Sequence, residues 1–446
     1  MRRSLVMSFV SLCLLWGTQA FSQVTFHFDE KFQTEEIILK FAGESYRTKL
    51  DASGAGTITI PNNLEAGYAT VYGPRSVHMF YLIPGKKQEV TKILGQNISF
   101  AGEAKDINDY LNSPFLSCPD LGYEKEEKIF MKEWQQLPKR LQKNLAVQKL
   151  PADFKEKECR RLHYVGYNML LTYPFQHSRR LKLNDFAPSE FFYKKLSELI
   201  KEDTTAREFV EYHQVLRTYM QMLGDKRMGE TGKSLDKLRC EVEYIDKNIC
   251  DKKVREYLAD CCLSDYIKFF GVEGVDEFLP IYDRMVGNEK LKNEFHKSYS
   301  QYVSLEPGKK APAFSLLDIN GKQVSLSDYL GNYVYIDVWA TWCGPCCREL
   351  PKFHELKNQF KDKAIQFISI SIDTDENAWR NKIENDKLDG IQLRVTNKDS
   401  FRLDYKISWI PRFLLIDREG KVLDANMTRP SDTKTIEKLT ALLSDR

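Results

Sequence analysis

The chain has 446 residues, of which 42% are hydrophobic, 12% aromatic and 29% charged. This composition provides ample apolar material for packed cores and excludes a disordered or fibrous protein, and the length suggests about three domains. The 66 lysines and arginines balance 63 aspartates and glutamates and are not gathered into basic runs, so nucleic acid is not an expected partner.

The N-terminus has the pattern of a secretory signal peptide. Two arginines precede an apolar run over residues 5–16, and small residues follow as far as Ala20. This order is typical of cleaved leaders, and the run is too short to span a bilayer. We expect cleavage after Ala20 or Ser22 and export to a bacterial periplasm or cell envelope. The alternatives are an N-terminal anchor, a buried helix, or lipid attachment at Cys13.

Short strands separated by turn residues are predicted for residues 24–103. Alternation of apolar and polar residues, as in Thr57–Ile60, indicates sheets with one face in water. This segment is therefore predicted to be an all-β domain, either a β-sandwich or a partial barrel. Its expected strands include Glu36–Phe41, Gly56–Ile60, Tyr68–Tyr72, His78–Ile83 and Asn97–Phe100.

From residue 104 to 303 the apolar residues recur every three or four positions, which is typical of amphipathic helices. Such stripes run through residues 129–145, 192–200 and 209–223. Pro138 interrupts the first stripe and is expected to kink or split that helix. We predict an irregular α-helical middle domain whose many aromatic residues are mostly in the core.

A stretch rich in Pro, Gly and Lys at residues 306–312 is predicted to be a hinge, after which strands alternate with helices. Nearly continuous apolar runs are expected of central strands that are covered on both faces. Residues 305–446 are therefore predicted to be an α/β domain. Its expected strands are Tyr333–Trp339, Ile365–Ile372 and Phe413–Ile416, and its expected helices include Arg348–Phe360 and Thr433–Leu443.

Cys343 and Cys346 directly follow the first of these strands and open the next helix. A thiol at a helix N-terminus faces unpaired backbone N–H groups and the positive end of the helix dipole, which favour the thiolate that attacks disulfides. Pro345 is tolerated in a first helical turn. The alternative is half of a zinc site, but the sequence has no second Cys-x-x-Cys to complete it. We expect no metal and no cofactor.

Three segments of this last domain resemble a known family. Residues 311–328 match the family's leading hairpin, residues 337–346 (DVWATWCGPC) its active-site segment, and residues 410–420 its strand with a special proline. The domain is thereby similar to the thioredoxin superfamily and, more narrowly, to exported thiol–disulfide oxidoreductases of the TlpA/ResA type. The resemblance covers about a third of the chain and implies a thioredoxin-like fold.

The resemblance also implies residue roles. Cys343, the more exposed sulfur, would attack a substrate disulfide, and Cys346 would resolve the mixed disulfide. Asp337, six residues before Cys343 in an apolar strand, would have a raised pKa and exchange the resolving proton; alternatively, backbone donors satisfy it at a strand end. Pro411 would follow a cis peptide beside the disulfide, and the backbone of Ile410 would pair with an extended substrate.

Four more residues are singled out near the motif. Glu349 stands where related reductases carry an acid, although a first-turn glutamate also suits the helix dipole. Trp342 is expected to contact substrate. Arg412, where simple thioredoxins usually have threonine, would bring a cation to the substrate groove or pair with a surface acid. Cys347 is expected to be a small buried residue, and the alternative is that it diverts the disulfide.

Six other cysteines lie in the helical segment, and their pairing stays open. The last four fall within 23 positions, a spacing compatible with one structural disulfide. The six are Cys118, Cys159, Cys240, Cys250, Cys261 and Cys262.

The resulting prediction is an exported enzyme that reduces protein disulfides. The dipeptide Gly344–Pro345 is that of strongly reducing relatives, and the family implies a membrane electron-donor protein and oxidised protein substrates, with apocytochrome c as a candidate. One alternative is a partner-binding envelope protein whose thioredoxin domain is regulatory, since about 280 residues precede that domain. A peroxiredoxin-like peroxidase is a weaker alternative, because residues 339–343 lack its proline motif.

Overall fold

The structure is a computed structural model that describes residues 21–29, 32, 35–73, 76–93, 97–117, 121–183, 186–229, 234–396 and 399–444. The expected signal peptide, Cys13 and Cys118 therefore lie outside the described residues. Contacts divide the chain into two compact units, residues 1–215 and 216–446. Within the described ranges, no helix has both the length and the apolar character needed to cross a membrane.

The first unit contains two four-stranded sheets, ordered β4-β1-β7-β8 and β3-β2-β5-β6. Alternate residues of both sheets, such as Phe26 of β1 and Leu39 of β2, are buried in one shared core, so the predicted β region forms a sandwich. The strands are β1 Phe21–Phe28, β2 Glu36–Phe41, β3 Glu44–Lys49, β4 Ala55–Pro61, β5 Gly67–Gly73, β6 Ser76–Leu82, β7 Gln88–Lys92 and β8 Ser99–Gly102.

Helices of the first unit follow the sandwich directly. Pro138 lies in the first turn of α4, and α3 ends before it at Trp134, so the predicted split is present. Phe154 of α5 packs its ring edge-on against Tyr81 of β6. The helices are α1 Lys105–Leu111, α2 Pro114–Ser117, α3 Glu127–Trp134, α4 Leu137–Val147, α5 Ala152–Leu171, α6 Tyr173–Leu181 and α7 Glu190–Leu199.

The long helix α8, Val210–Met228, contains the boundary between the two units. The helices predicted as one middle domain are thus shared between the units. Those of the second unit are α9 Ser234–Asn248, α10 Lys252–Phe270, α11 Leu279–Met285 and α12 Glu289–Val303.

The rest of the second unit is a thioredoxin-like α/β fold around a seven-stranded sheet, ordered β10-β9-β13-β12-β11-β14-β15. Strands β11, β12 and β13 run parallel, and the other neighbouring pairs run antiparallel. The strands are β9 Ser315–Asp318, β10 Gln323–Ser325, β11 Tyr333–Trp339, β12 Ile365–Ser371, β13 Ile391–Arg394, β14 Arg412–Ile416 and β15 Val422–Met427.

Helices cover both faces of this sheet. On one face, Tyr335 and Phe413 pack with Phe353 of α13 and Leu439 of α16. On the other face, Ile336 packs in a cluster that includes Trp379 of α14 and the active-site cysteines. Because β11 is buried on both faces, it carries Asp337 deep in the domain and ends beside the cysteine pair. The helices are α13 Gly344–Gln359, α14 Glu376–Asn385, α15 Phe401–Asp404 and α16 Thr433–Ser444.

Candidate active site

A disulfide joins Cys343 and Cys346 at the start of α13. Cys343 is the N-cap residue of that helix, and its Sγ accepts a hydrogen bond from the backbone N–H of Cys346 at 3.2 Å. Pro345 occupies the first turn, where its missing N–H has no helical partner to lose. The local sequence therefore places a sulfur where the N–H groups and dipole of a helix end stabilise negative charge.

The two sulfurs differ in their access to solvent. Cys343 is 5% exposed and Cys346 is 1% exposed, so the more N-terminal cysteine is the more accessible one, as predicted. Trp342 is half exposed, and Gly344 and Pro345 are exposed on the other side of Cys343. A partner molecule can therefore reach Cys343 between these residues, while Cys346 stays shielded.

Asp337 lies in the middle of β11, between Ser369 of β12 and Phe413 of β14. Its side chain is buried, and neither carboxylate oxygen has a hydrogen-bond partner among the described residues. Burial, and secondarily the charge of Glu349, raise the pKa of Asp337 well above its usual range. The alternative of a carboxylate satisfied by backbone donors is therefore not what the structure contains.

Glu349 is buried on the side of α13 that faces the sheet. Its two carboxylate oxygens accept hydrogen bonds from the backbone N–H of Ser431, at 3.1 Å, and from the Ser431 hydroxyl, at 2.9 Å. Ser431 was not predicted as a site residue, since it lies 82 positions away and no local pattern marks it. The pair fixes an acidic side chain close enough to Asp337 to influence its titration.

The segment before β14 contains the cis peptide bond Ile410–Pro411, which confirms the predicted isomer. Ile410 is half buried and packs against the apolar cluster that contains both Cys343 and Cys346. The sequence reasoning had brought Pro411 and Ile410 to the disulfide only through resemblance. The structure places Ile410 against the same apolar core that encloses the cysteine pair.

Asp373 also holds the active-site loop and was not predicted from the sequence. It accepts hydrogen bonds from the backbone N–H of Thr341 at 2.9 Å, from the Thr341 hydroxyl at 2.8 Å and from the Ser371 hydroxyl at 2.8 Å. The loop is closed by the Cys343 N–H, which donates to the Ala340 carbonyl. One sequence feature could have pointed to Asp373. It is a polar residue just beyond the carboxyl end of the buried strand β12, which pairs with β11.

The third sulfur, Cys347, is a half-buried free thiol. Its Sγ donates to the Thr341 carbonyl at 3.6 Å. The disulfide joins Cys343 and Cys346 rather than this residue. The alternative that Cys347 diverts the disulfide is therefore not what the structure contains, but the thiol is less buried than expected.

Arg412 is placed differently from the exposed groove cation that the sequence suggested. Its side chain is only 1% exposed, and its guanidinium carbon lies 5.3 Å from the centre of the Trp409 ring. It lines a cavity whose lining includes neither Cys343 nor Cys346. Burial lowers the pKa of Arg412 to about 10, which still leaves it charged at neutral pH.

The distant cysteines add no disulfide that the structure shows. Cys159, Cys240, Cys261 and Cys262 carry free thiols, so the compatible structural bond does not form among the last three of these. Within the ranges that the structure describes, His, Cys, Asp and Glu side chains form no cluster of three or more that could hold a metal ion.

A helix-capping disulfide, a buried carboxyl on the preceding strand and a cis-proline segment together define a thioredoxin-type redox protein. Residues 306–443 match the Redoxin family model. The thiol–disulfide oxidoreductase ResA of Bacillus cereus is 31% identical over 125 residues, which span 28% of this chain and 72% of that protein. ResA of Bacillus subtilis is 34% identical over 122 residues, spanning 27% and 66% respectively.

A solved structure, the thioredoxin domain of a thiol–disulfide oxidoreductase from Bacteroides vulgatus, is 32% identical with a TM-score of 0.29 and covers 31% of this chain and 99% of that one. With its relatives identified, the chain belongs to the ResA-like thiol–disulfide oxidoreductases of the thioredoxin superfamily. The protein is accordingly a thiol–disulfide oxidoreductase enzyme.

Proposed function

We propose that this enzyme is an exported reductase of protein disulfides that works through a dithiol–disulfide cycle of Cys343 and Cys346. The observation that carries the proposal is the position of this disulfide, on the N-terminus of α13 and six residues after Asp337, a buried carboxyl with no hydrogen-bond partner among the described residues. Such a site supplies both a stabilised thiolate and a proton acceptor for its partner thiol.

In the first step the reduced enzyme attacks. The thiolate of Cys343, stabilised by the Cys346 N–H and by the helix end, attacks one sulfur of the substrate disulfide. A Cys343–substrate disulfide forms, the substrate S–S bond breaks, and the other substrate sulfur leaves as a thiolate. Cys343 takes this role because it is the more accessible of the two cysteines.

In the second step Cys346 resolves the mixed disulfide. Asp337 in its ionised form, which the raised pKa makes a strong base, accepts the proton of the Cys346 thiol, and the resulting thiolate attacks Cys343 Sγ. The Cys343–Cys346 bond forms, the mixed disulfide breaks, and the second substrate sulfur leaves. Two electrons have then passed to the substrate, and both substrate sulfurs have left as thiolates that take their protons from Asp337 or from solvent. Burial is the main cause that keeps the pKa of Asp337 high, and the negative charge of Glu349, held by Ser431, adds to it.

The substrate is proposed to be an oxidised protein segment that lies across Trp342 and the Ile410–Pro411 peptide. The exposed Trp342 ring offers an apolar contact, and the backbone of Ile410 offers hydrogen bonds to an extended chain. Apocytochrome c is a candidate substrate by family resemblance. A dithiol protein of the membrane would return two electrons to Cys343–Cys346 after each cycle.

The direction and site of action follow from sequence features. Gly344 and Pro345 between the cysteines favour the reducing direction, and the basic, apolar leader pattern of residues 1–20 supports export. An oxidising compartment makes a dedicated electron supply necessary, because protein thiols there tend to become disulfides.

The reduction potential of Cys343–Cys346 tests this proposal. We expect about −250 mV or lower when the protein is equilibrated with dithiothreitol, close to thioredoxin. Cys343→Ser should abolish the exchange, whereas the matched control Cys240→Ser, on helix α9, should leave the potential unchanged. A value near about −120 mV would contradict the reductase direction, and an unchanged exchange in Cys343→Ser would contradict the assigned cysteines.

A further inference from the structure

A cavity of about 210 Å³ lies within the second unit, beside the strand that carries Arg412. We call it the Arg412 cavity. Its walls come from the C-terminal ends of α10 and α12, from β14 and β15, and from α16. The lining residues used below are Glu273, Glu306, Arg412, Asp424, Ala425, Asn426 and Lys438.

Two buried polar groups of this lining have no hydrogen-bond partner in the part of the chain that the structure describes. They are the Nε and Nη1 atoms of Arg412 and the Oδ1 atom of Asn426. Arg412 is 99% buried, and the face of the Trp409 ring is a weak substitute for a hydrogen-bond acceptor. A buried guanidinium is normally paired, because its charge is costly to desolvate. The cavity therefore presents an unused cation and an unused acceptor.

The other charges of the lining define what fits. Asp424 is paired with Lys438 at 2.6 Å, and although its charge also acts on Arg412, it does not hydrogen-bond the Nε or Nη1 atom of the guanidinium. Glu273 is exposed and Glu306 is half exposed, so negative charge lies toward solvent and positive charge lies inside. A ligand with an anionic end directed inward and a donor or cationic end directed outward complements this arrangement.

We propose that the Arg412 cavity binds a small amino acid, with its carboxylate on Arg412 and its ammonium group on Asn426 Oδ1 and the glutamate rim. The guanidinium fork matches a carboxylate in geometry as well as charge. A volume of about 210 Å³ is below the range of roughly 300–1,000 Å³ typical of drug-sized ligands, which favours a small ligand. The lining includes none of the cysteines, although Arg412 directly follows Pro411 of the cis-proline segment.

Calorimetric titration and thermal unfolding of the full-length oxidised protein test the proposal. The probes are L-serine and L-alanine, with acetate and ethanolamine as fragments that keep only the carboxylate or only the amine. We expect the amino acids to bind with one site per chain and to raise Tm, acetate to bind more weakly, and ethanolamine not to bind. No heat and no Tm shift with either amino acid at millimolar concentration would mean that the cavity holds water alone, and would overturn the proposal.

Variants assign the binding to this cavity. Arg412→Met and Asn426→Ala should each weaken L-serine binding by roughly tenfold or more, and Ala425→Leu should abolish it by filling the cavity. Arg402→Met, an exposed arginine of the same unit, is the matched control and should bind normally. If Arg412→Met does not fold, Asn426→Ala and Ala425→Leu test the proposal. Unchanged affinity for L-serine in both of these variants would overturn it.

Discussion

At the scale of single residues, Asp337 is a carboxyl group buried away from water. It is enclosed by strands on both sides and lacks any hydrogen-bond donor among the described residues. The folded protein therefore favours its neutral form. This preference connects the stability of the enzyme to its chemistry, because the same raised pKa that allows proton exchange penalises the folded state once the carboxyl ionises.

Asp337→Asn should remove a pH dependence from stability. A raised folded pKa gives stability that is fully present below the unfolded pKa and is lost as pH rises through the folded value. As pH rises, the free energy of unfolding of the variant should therefore increase relative to that of the wild type. The difference should reach about 1–3 kcal/mol at about pH 9. Urea unfolding of the oxidised proteins at several pH values measures this. Parallel profiles for wild type and variant would contradict it, and exposed Asp362→Asn is the control.

The same substitution should slow resolution of the mixed disulfide rather than its formation. Without a proton acceptor, the Cys346 thiol forms its thiolate less readily, and general-base losses of about a hundredfold or more are typical. Acid quenching followed by mass spectrometry should detect a Cys343–substrate adduct that accumulates in Asp337→Asn. Cys346→Ser, which cannot resolve the adduct at all, sets the upper limit. If Cys346→Ser traps the adduct but Asp337→Asn does not, Asp337 has no such role.

At the scale of elements, the edge strand β6 is protected by side-chain amides. It is the last strand of its sheet, and an unpaired edge invites pairing with other chains. Asn108 of α1 accepts from the Tyr81 N–H at 2.5 Å and donates to the Tyr81 carbonyl at 3.2 Å, as a neighbouring strand would. Asn112 donates to the Met79 carbonyl at 2.8 Å. Helix α1 thus covers the edge through hydrogen bonds.

Asn108→Leu should destabilise the sandwich by about 1–3 kcal/mol, because the Tyr81 N–H is left buried without an acceptor. The Tyr81 carbonyl still accepts from Gln88 at 3.0 Å, which limits the loss. Urea unfolding provides the measurement. Asn63→Leu, an exposed turn position of the same sandwich, should change stability by no more than about 0.5 kcal/mol. If both variants lost the same free energy of unfolding, the hydrogen bonds of Asn108 to the edge strand would not contribute to stability.

At the scale of the whole molecule, the features that could be predicted are those that depend on a short, continuous stretch of sequence. Strand Tyr333–Trp339 matched to the residue, since burial on both faces gives a continuous apolar run. Strand β3, Glu44–Lys49, has no fully buried residue, and Tyr46 is its only large apolar side chain, so the sequence shows no apolar pattern there. The cysteine pair follows from one strand–helix junction. The bonds of Ser431 to Glu349 and of Asp373 to Thr341 join residues 82 and 32 positions apart, which no local pattern encodes.

The boundary between the two units could not be predicted from the sequence either, because it falls inside helix α8, where the composition does not change. In the first unit, Arg161 of α5 is buried between Glu158 and Glu211 and forms two hydrogen bonds of 2.7 Å to Glu158. The Tyr68 hydroxyl of β5 donates to Glu158 at 2.6 Å. One guanidinium therefore neutralises two buried carboxylates and links sheet to helices.

Arg161→Met should lower the stability of the first unit by about 3–5 kcal/mol at neutral pH, because two buried carboxylates lose their counter-charge. The loss should shrink in acid as those carboxylates become protonated. Exposed Arg160→Met is the adjacent control. Since Cys343 and Cys346 belong to the other unit, the reduction potential should stay within about 30 mV of wild type. A larger shift would mean that the first unit sets the redox chemistry as well as its own stability.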